Sequence, residues 1–195
     1  AMLNYGAAAQ TYFGYRTDDL MNADLTAQQQ ALVVSYDAGL FTGAVAADPA
    51  KTGGFVKTAT GFTKKNASVS FEGAFAINYY FTPEFAVDGE VTLYVWDRET
   101  YEAVEALTAD NASSAVMTEQ NGTWFASVSG IAPKDLDKTY YVAGVYTDES
   151  GNTYCTGVIA YSLSRYCMNN TNNAMGKLAK ATAMYGYYAD LYFPN

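Results

Sequence analysis

The side chains of this chain best suited to holding a ligand are aromatic. Trp96 and Trp124, with Tyr79, Tyr80, Tyr94 and Tyr101, offer flat rings of the kind that stack on the apolar faces of sugars. Trp96, Trp124, Tyr94 and Tyr101 form the candidate ligand-binding set. The same rings equally suit packing between sheets and helices, because large aromatic side chains dominate cores. Adjacent pairs such as Tyr79-Tyr80 and Tyr140-Tyr141 place one ring on each face of a strand, so some tyrosine must lie outside a core. Whether another element covers that outer face decides between the two uses.

Covalent and acid–base chemistry is narrowly bounded. The chain contains no histidine, which excludes serine–histidine and cysteine–histidine catalysis and histidine-ligated zinc. Carboxylates remain, but Asp97/Glu99, Glu102/Glu105 and Asp148/Glu149 fall in turns or on exposed faces, where solvated charge is the ordinary state. Asp18, Asp19, Asn22 and Asp24, and the stretch Asp148–Asn152, carry oxygen ligands without EF-hand spacing. No catalytic residue, metal or cofactor is therefore expected. Cys155 lies at the opening of a run, Thr153 to Leu163, that reads as one continuous strand, and Cys167 lies just beyond its end. Its length would hold them on the order of 35–40 Å apart, far beyond the ~7 Å Cα separation of a disulfide, so both thiols are expected to be free.

The formal charge of −9, from 20 acidic and 11 scattered basic side chains, repels nucleic acid and anionic lipid. No transmembrane run or signal peptide is visible. The opening residues, Met2 to Ala9, lie within a helical pattern, as expected of a piece of a longer exported protein.

The elements that would position any site begin with an internal repeat. Tyr5-Gly6-x-x-Ala9-x-x-Tyr12-Phe13 recurs as Tyr185-Gly186-x-x-Ala189-x-x-Tyr192-Phe193, each match 180 residues from its counterpart. Spacings of three and four make both copies helical, with Tyr5 and Tyr185 on the stripe. A mid-helix glycine costs about 0.5–1 kcal/mol relative to alanine, so Gly6 and Gly186 are expected to admit the sheet or the sister helix. The simplest account is a tandem array with adjacent units as partners.

After the first helix, Thr26 or Asp24 is placed to cap a short helix through Gln30, and Leu32–Tyr36 reads as an edge strand. From about Phe55 the period becomes two. Strands are expected at Val56–Thr60, Ala67–Glu72, Phe75–Phe81, Glu90–Trp96, Glu102–Leu107, Ala115–Glu119, Trp124–Val128, Lys138–Thr147 and Thr153–Leu163. Asn121-Gly122 is a hairpin signal and Asp148–Asn152 a longer hairpin loop. Ile131-Ala132-Pro133 leading to Tyr140-Tyr141 matches the tyrosine corner of immunoglobulin sandwiches, with Tyr140 or Tyr141 bonding back to the connection. The expected fold is mainly β: an immunoglobulin/fibronectin III-like antiparallel β-sandwich with flanking N- and C-terminal α-helices. Its parts are a helical segment 1–31, an extended connection 32–54, a sandwich 55–167 and a helix 168–195 packed on the sandwich.

The run from Met2 to Tyr15, followed by Asp19–Thr26 and echoed by Tyr166-Cys167 ahead of the last helix, resembles a repeat or accessory region of large uncharacterised secreted or surface proteins of anaerobic gut Gram-positive bacteria. The resemblance covers both ends of the chain, and it implies an extracellular or cell-surface accessory region without catalytic residues. The function expected first is a non-catalytic structural or adhesive module, contacting another surface protein or adjacent repeat units. The alternative is a carbohydrate-binding accessory module that holds polysaccharide on the aromatic set.

Overall fold

A computed structural model describes residues 1–31, 36–41, 43–169 and 173–193. The chain forms two compact units. One comprises Ala44–Ile131 and Thr139–Ser162, the other Ala1–Gly43, Ala132–Lys138 and Leu163–Asn195.

The first unit is an antiparallel sandwich with nine strands among the described residues. They are β1 (Lys64–Ser70), β2 (Ala76–Phe81), β3 (Val91–Trp96), β4 (Ser113–Val116), β5 (Thr118–Gln120), β6 (Thr123–Ser129), β7 (Tyr140–Thr147), β8 (Thr153–Cys155) and β9 (Ile159–Tyr161). One sheet has the order β1-β2-β6-β5; the other has β4-β3-β7-β8, with β9 also on β7. In immunoglobulin nomenclature these are A-B-E-D and C′-C-F-G, so the expected fold class is the observed one.

Register assigns the faces. Val91, Leu93 and Val95 pair with Tyr146, Gly144 and Val142, and these line the interior with Ile77, Tyr79 and Phe81 of the first sheet, all buried. Gly144 is closely packed here: a Cβ would sit 3.1 Å from the Phe81 ring and 3.2 Å from Thr156, tighter than ordinary contact. Tyr161 ties the layers together, its hydroxyl donating to the Ala67 carbonyl at 3.3 Å. Tyr140 lies inside beside Tyr79 and Tyr161, whereas Tyr141 is on the opposite face, stacked 3.7 Å from Tyr101. Tyr141 is thereby removed from the corner role.

Several expected strands differ. Glu102–Leu107 is no strand: α3 spans Arg98–Ala103, started by the Asp97 carboxylate accepting from the Thr100 N–H at 2.8 Å and braced by Arg98 on Glu102 at 2.8 Å. Ala115–Glu119 divides at buried Met117, where the chain leaves the second sheet and enters the first. Thr153–Leu163 breaks over Thr156–Val158, and Leu163 already opens a helix. Val56–Thr60 is irregular, although Thr58 bonds the free edge of β8: its N–H donates to the Cys155 carbonyl at 3.1 Å, and its hydroxyl accepts from the Cys155 N–H at 2.7 Å. The expected edge strand at Leu32–Tyr36 lies, for 32–35, outside the described residues.

The second unit is helical, with α1 (Met2–Phe13), α2 (Ala27–Ala31), α4 (Leu163–Asn169) and α5 (Ala174–Tyr192). Thr26 is the cap of α2, its hydroxyl accepting from the Gln29 N–H while Gln29 Oε1 accepts from the Thr26 N–H. Asn173 caps α5 by accepting from the Gly176 N–H at 2.7 Å. The amide of Gln10 clamps the turn after α1, donating to the Asp19 carbonyl at 2.9 Å and accepting from the Met21 N–H at 2.7 Å. This sets Met21 against Gly6. Gly186 admits a different neighbour, the Pro133–Asp137 turn, with Leu136 Cβ 2.8 Å from where a Cβ would stand. Lys138 locks that turn down on Asp190 at 2.6 Å. The two repeated glycines thus face passing chain segments, and the sister-helix contact is made by Tyr5 and Tyr185.

Candidate functional site

Three members of the expected ligand-binding set do come together, but under cover. Tyr94 and Trp96 project from the outer face of the second sheet, where Tyr101 stacks on Tyr141. Phe55, on a one-turn 3-10 helix at Gly53–Phe55, closes over them 4.7 Å from Trp96 and 5.4 Å from Tyr94. Trp96 has 0% of its surface exposed and donates its indole N–H to Asn111 at 2.8 Å. Lys51 fastens the lid, its ammonium donating to the Tyr101 and Val104 carbonyls at 2.7 Å each. These rings form a second core and not a platform. Trp124 stands apart on the first sheet, half-buried opposite Phe81 and Glu119. The expected patch of Trp96, Trp124, Tyr94 and Tyr101 is therefore not assembled.

A different group of aromatics reaches solvent at one end of the sandwich. Tyr146 and Tyr154 face each other across the β7–β8 ladder, their centroids 5.6 Å apart and planes 17° apart. The β2–β3 loop lays Phe85 on both, 5.1 Å from Tyr154 and 6.1 Å from Tyr146. Tyr146 is almost fully buried within this stack, while Phe85 and Tyr154 are half-buried. Thr58, Ala59, Thr60, Ala86, Asp88 and Asp148 complete a cleft of about 460 Å³, a volume in the range of small-ligand sites. In immunoglobulin terms the loops that build it are B–C and F–G, which lie together at one end of the fold.

Two carboxylates fix the phenols. The Tyr146 hydroxyl donates to Asp88 Oδ1, and the Tyr154 hydroxyl donates to Asp148 Oδ2 at 3.1 Å. Asp148 is held in turn by the Asn152 backbone N–H at 2.8 Å and side-chain amide at 2.9 Å. Those bonds from Asn152 hold the Asp148 carboxyl below its usual range, and the carboxylate partners raise both tyrosines above theirs. Near neutral pH Asp148 is an ionised acceptor and the phenols are neutral. A general acid for glycoside cleavage needs the opposite, a carboxyl held high. The cleft offers ring faces, carboxylate acceptors and threonine hydroxyls.

Three of the other acidic residues have local partners. Asp97 caps α3, Glu102 pairs with Arg98, and Asp19 pairs with Arg16. Among the described residues no group of three or more acidic or cysteine side chains could hold a metal ion, and no helix is long and apolar enough to cross a membrane.

The fold defines an immunoglobulin-like sandwich with an aromatic cleft at its loop end. No protein-family profile and no curated protein matches the sequence. Two solved structures are similar in part. A bromine derivative of BhCBM56 aligns at 18% identity and a TM-score of 0.36, over 56% of this chain and 99% of its own. A polysaccharide deacetylase from Bacillus cereus aligns at 12% identity and a TM-score of 0.37, over 51% of this chain and 30% of its own.

Proposed function

We propose that the chain is a non-catalytic carbohydrate-binding module of a secreted or cell-surface bacterial protein, and that it holds a short polysaccharide segment in the cleft of Phe85, Tyr146 and Tyr154. The observation that carries this is the pairing of a solvent-reaching ring stack with two oriented carboxylates at the loop end of the sandwich. Sugars present an apolar ring face and a rim of hydroxyls; a ring stack takes the first and Asp88 and Asp148 accept from the second. The acidic balance of the surface suits an uncharged glycan better than a polyanion.

A panel of soluble and insoluble polysaccharides tests the proposal by retardation in affinity gels and by pull-down. Retention of the unsubstituted chain on at least one glycan is expected. Tyr154→Ala and Phe85→Ala each weaken it about tenfold, the scale of one lost ring contact. Retention unchanged by both substitutions, or none across the panel, overturns it. A structural or adhesive role is the second reading, favoured by the stacking of the two repeated helices through Tyr5 and Tyr185.

A further inference from the structure

The helical unit carries a relationship independent of the cleft. α1 and the second half of α5 share the sequence Tyr-Gly-x-x-Ala-x-x-Tyr-Phe at an offset of 180 residues. In the folded chain the two copies meet at the same position: the Tyr5 ring stacks on Tyr185, centroids 5.5 Å apart and planes 17° apart. Contact between a residue and its own repeat equivalent is the signature of an isologous interface, where one surface is its own complement.

The surroundings follow the same scheme. Gly6 and Gly186, one residue on from the stacked rings, each admit a segment crossing the helix: Met21 in one case, the Pro133–Asp137 turn in the other. The last ring of each copy stays out of the pairing, Phe13 with 52% and Phe193 with 75% of its surface exposed. Both helices therefore spend the tyrosine on each other, use the glycine for a crossing segment and leave the terminal ring outside.

From this we infer that the α1–α5 pair is a self-complementary helix dimer closed within one chain, and that a second copy of this chain supplies the partner when α1 is released. Two chains then join α5 to α5, with Tyr185 on Tyr185. While α1 is tethered to the same polypeptide its effective concentration is high, and the surface stays occupied from within. The state of α1 sets whether the chain is single or paired.

The test uses the full chain. Tyr5→Asp places a carboxylate against the Tyr185 ring, which frees α1; Tyr5→Asp/Tyr185→Asp spoils the α5 surface as well. Sedimentation should show the single variant doubling in mass, with a dimer at least about tenfold tighter than that of the unsubstituted chain, and the double variant monomeric. Amide exchange over Met2–Phe13, read on the same samples, should show loss of protection in both. The inference is overturned if the single variant stays monomeric with α1 released, if α1 remains protected, or if the double variant dimerises equally well. Where Tyr5→Asp does not fold, Tyr5→Ser removes the ring without adding charge and is judged by the same outcomes.

Discussion

Phe55 stands edge-on to Trp96, ring centroids 4.7 Å apart and planes at 72°. Through that contact the second sheet is packed on both faces: against the first sheet on one side, and on the other against Phe55, Leu107 and Tyr101 around Trp96, Tyr141 and Ala143. Each large apolar side chain so buried is worth about 1.5–3 kcal/mol. Stability is thereby spread into a layer that the segment from Ala44 to Thr60 completes.

Trp96→Ala is expected to lower unfolding stability by about 3–5 kcal/mol, the range for deleting a large buried aromatic. It also leaves Asn111 without the indole donor. Urea denaturation measures the loss. Where the variant remains folded, glycan retention should be unchanged, because Trp96 takes no part in the cleft.

The two repeated glycines should respond oppositely to alanine. At Gly186 a new Cβ meets Leu136 Cβ at 2.8 Å and the Asp137 backbone N at 3.1 Å, neither free to swing away, so Gly186→Ala should cost about 1–3 kcal/mol. At Gly6 the obstacle is the far end of Met21, half exposed and flexible. Gly6→Ala should be neutral or gain up to about 1 kcal/mol from helix propensity. Thermal melts of both variants decide the matter.

Tyr79 is fully buried, and among the described residues its hydroxyl has no hydrogen-bond partner; burial drives its ionisation far above the ordinary tyrosine range. Tyr79→Phe removes a desolvated polar atom while keeping the ring. It is expected to raise stability by about 1 kcal/mol, and a clear loss in chemical denaturation would show that the hydroxyl is satisfied after all.

The free thiols give a pH signature. Burial pushes Cys167 up to about 12 against the pull of Lys180, and burial raises Cys155 as well. Both stay neutral in the folded chain while an unfolded thiol ionises near 8.5. The contribution of each to stability is present below that value and is lost as pH climbs through the unfolded value, towards about 12 for Cys167. Native protein at pH 8 should resist a thiol reagent, and denaturation should release both cysteines to it.

Period and turn chemistry were legible from the residues. Asn121 and Gly122 adopt φ of 52° and 75° in the hairpin they announce, and the in-and-out placement of Tyr79 and Tyr80, and of Tyr140 and Tyr141, follows from alternation alone. Alternation says which face a ring is on, however, and not what lies over it. Trp96 is buried by Phe55, a residue 41 positions earlier in an irregular segment, and no local pattern announces such a contact. The strand expected at Glu102–Leu107 rested on alternation, whereas the chain starts α3 at the Asp97 cap five residues earlier. The cleft had a usable signal too. Once Asp148–Asn152 is taken as a hairpin loop, counting back across the ladder sets Tyr146 opposite Tyr154. Phe85 had none, since the β2–β3 loop reaches it only in three dimensions.

The crossing of the chain at Met117 has an effect on colloidal behaviour. One eight-residue run, residues 113–120, is shared out so that one margin of each layer receives only a three- or four-residue strand, β5 on the first sheet and β4 on the second. Such stubs are poor templates for intermolecular β-pairing. A polypeptide half apolar in composition thus gains resistance to fibril-like stacking from a change of layer in mid-strand, at a border where β5 also exposes the charge of Glu119.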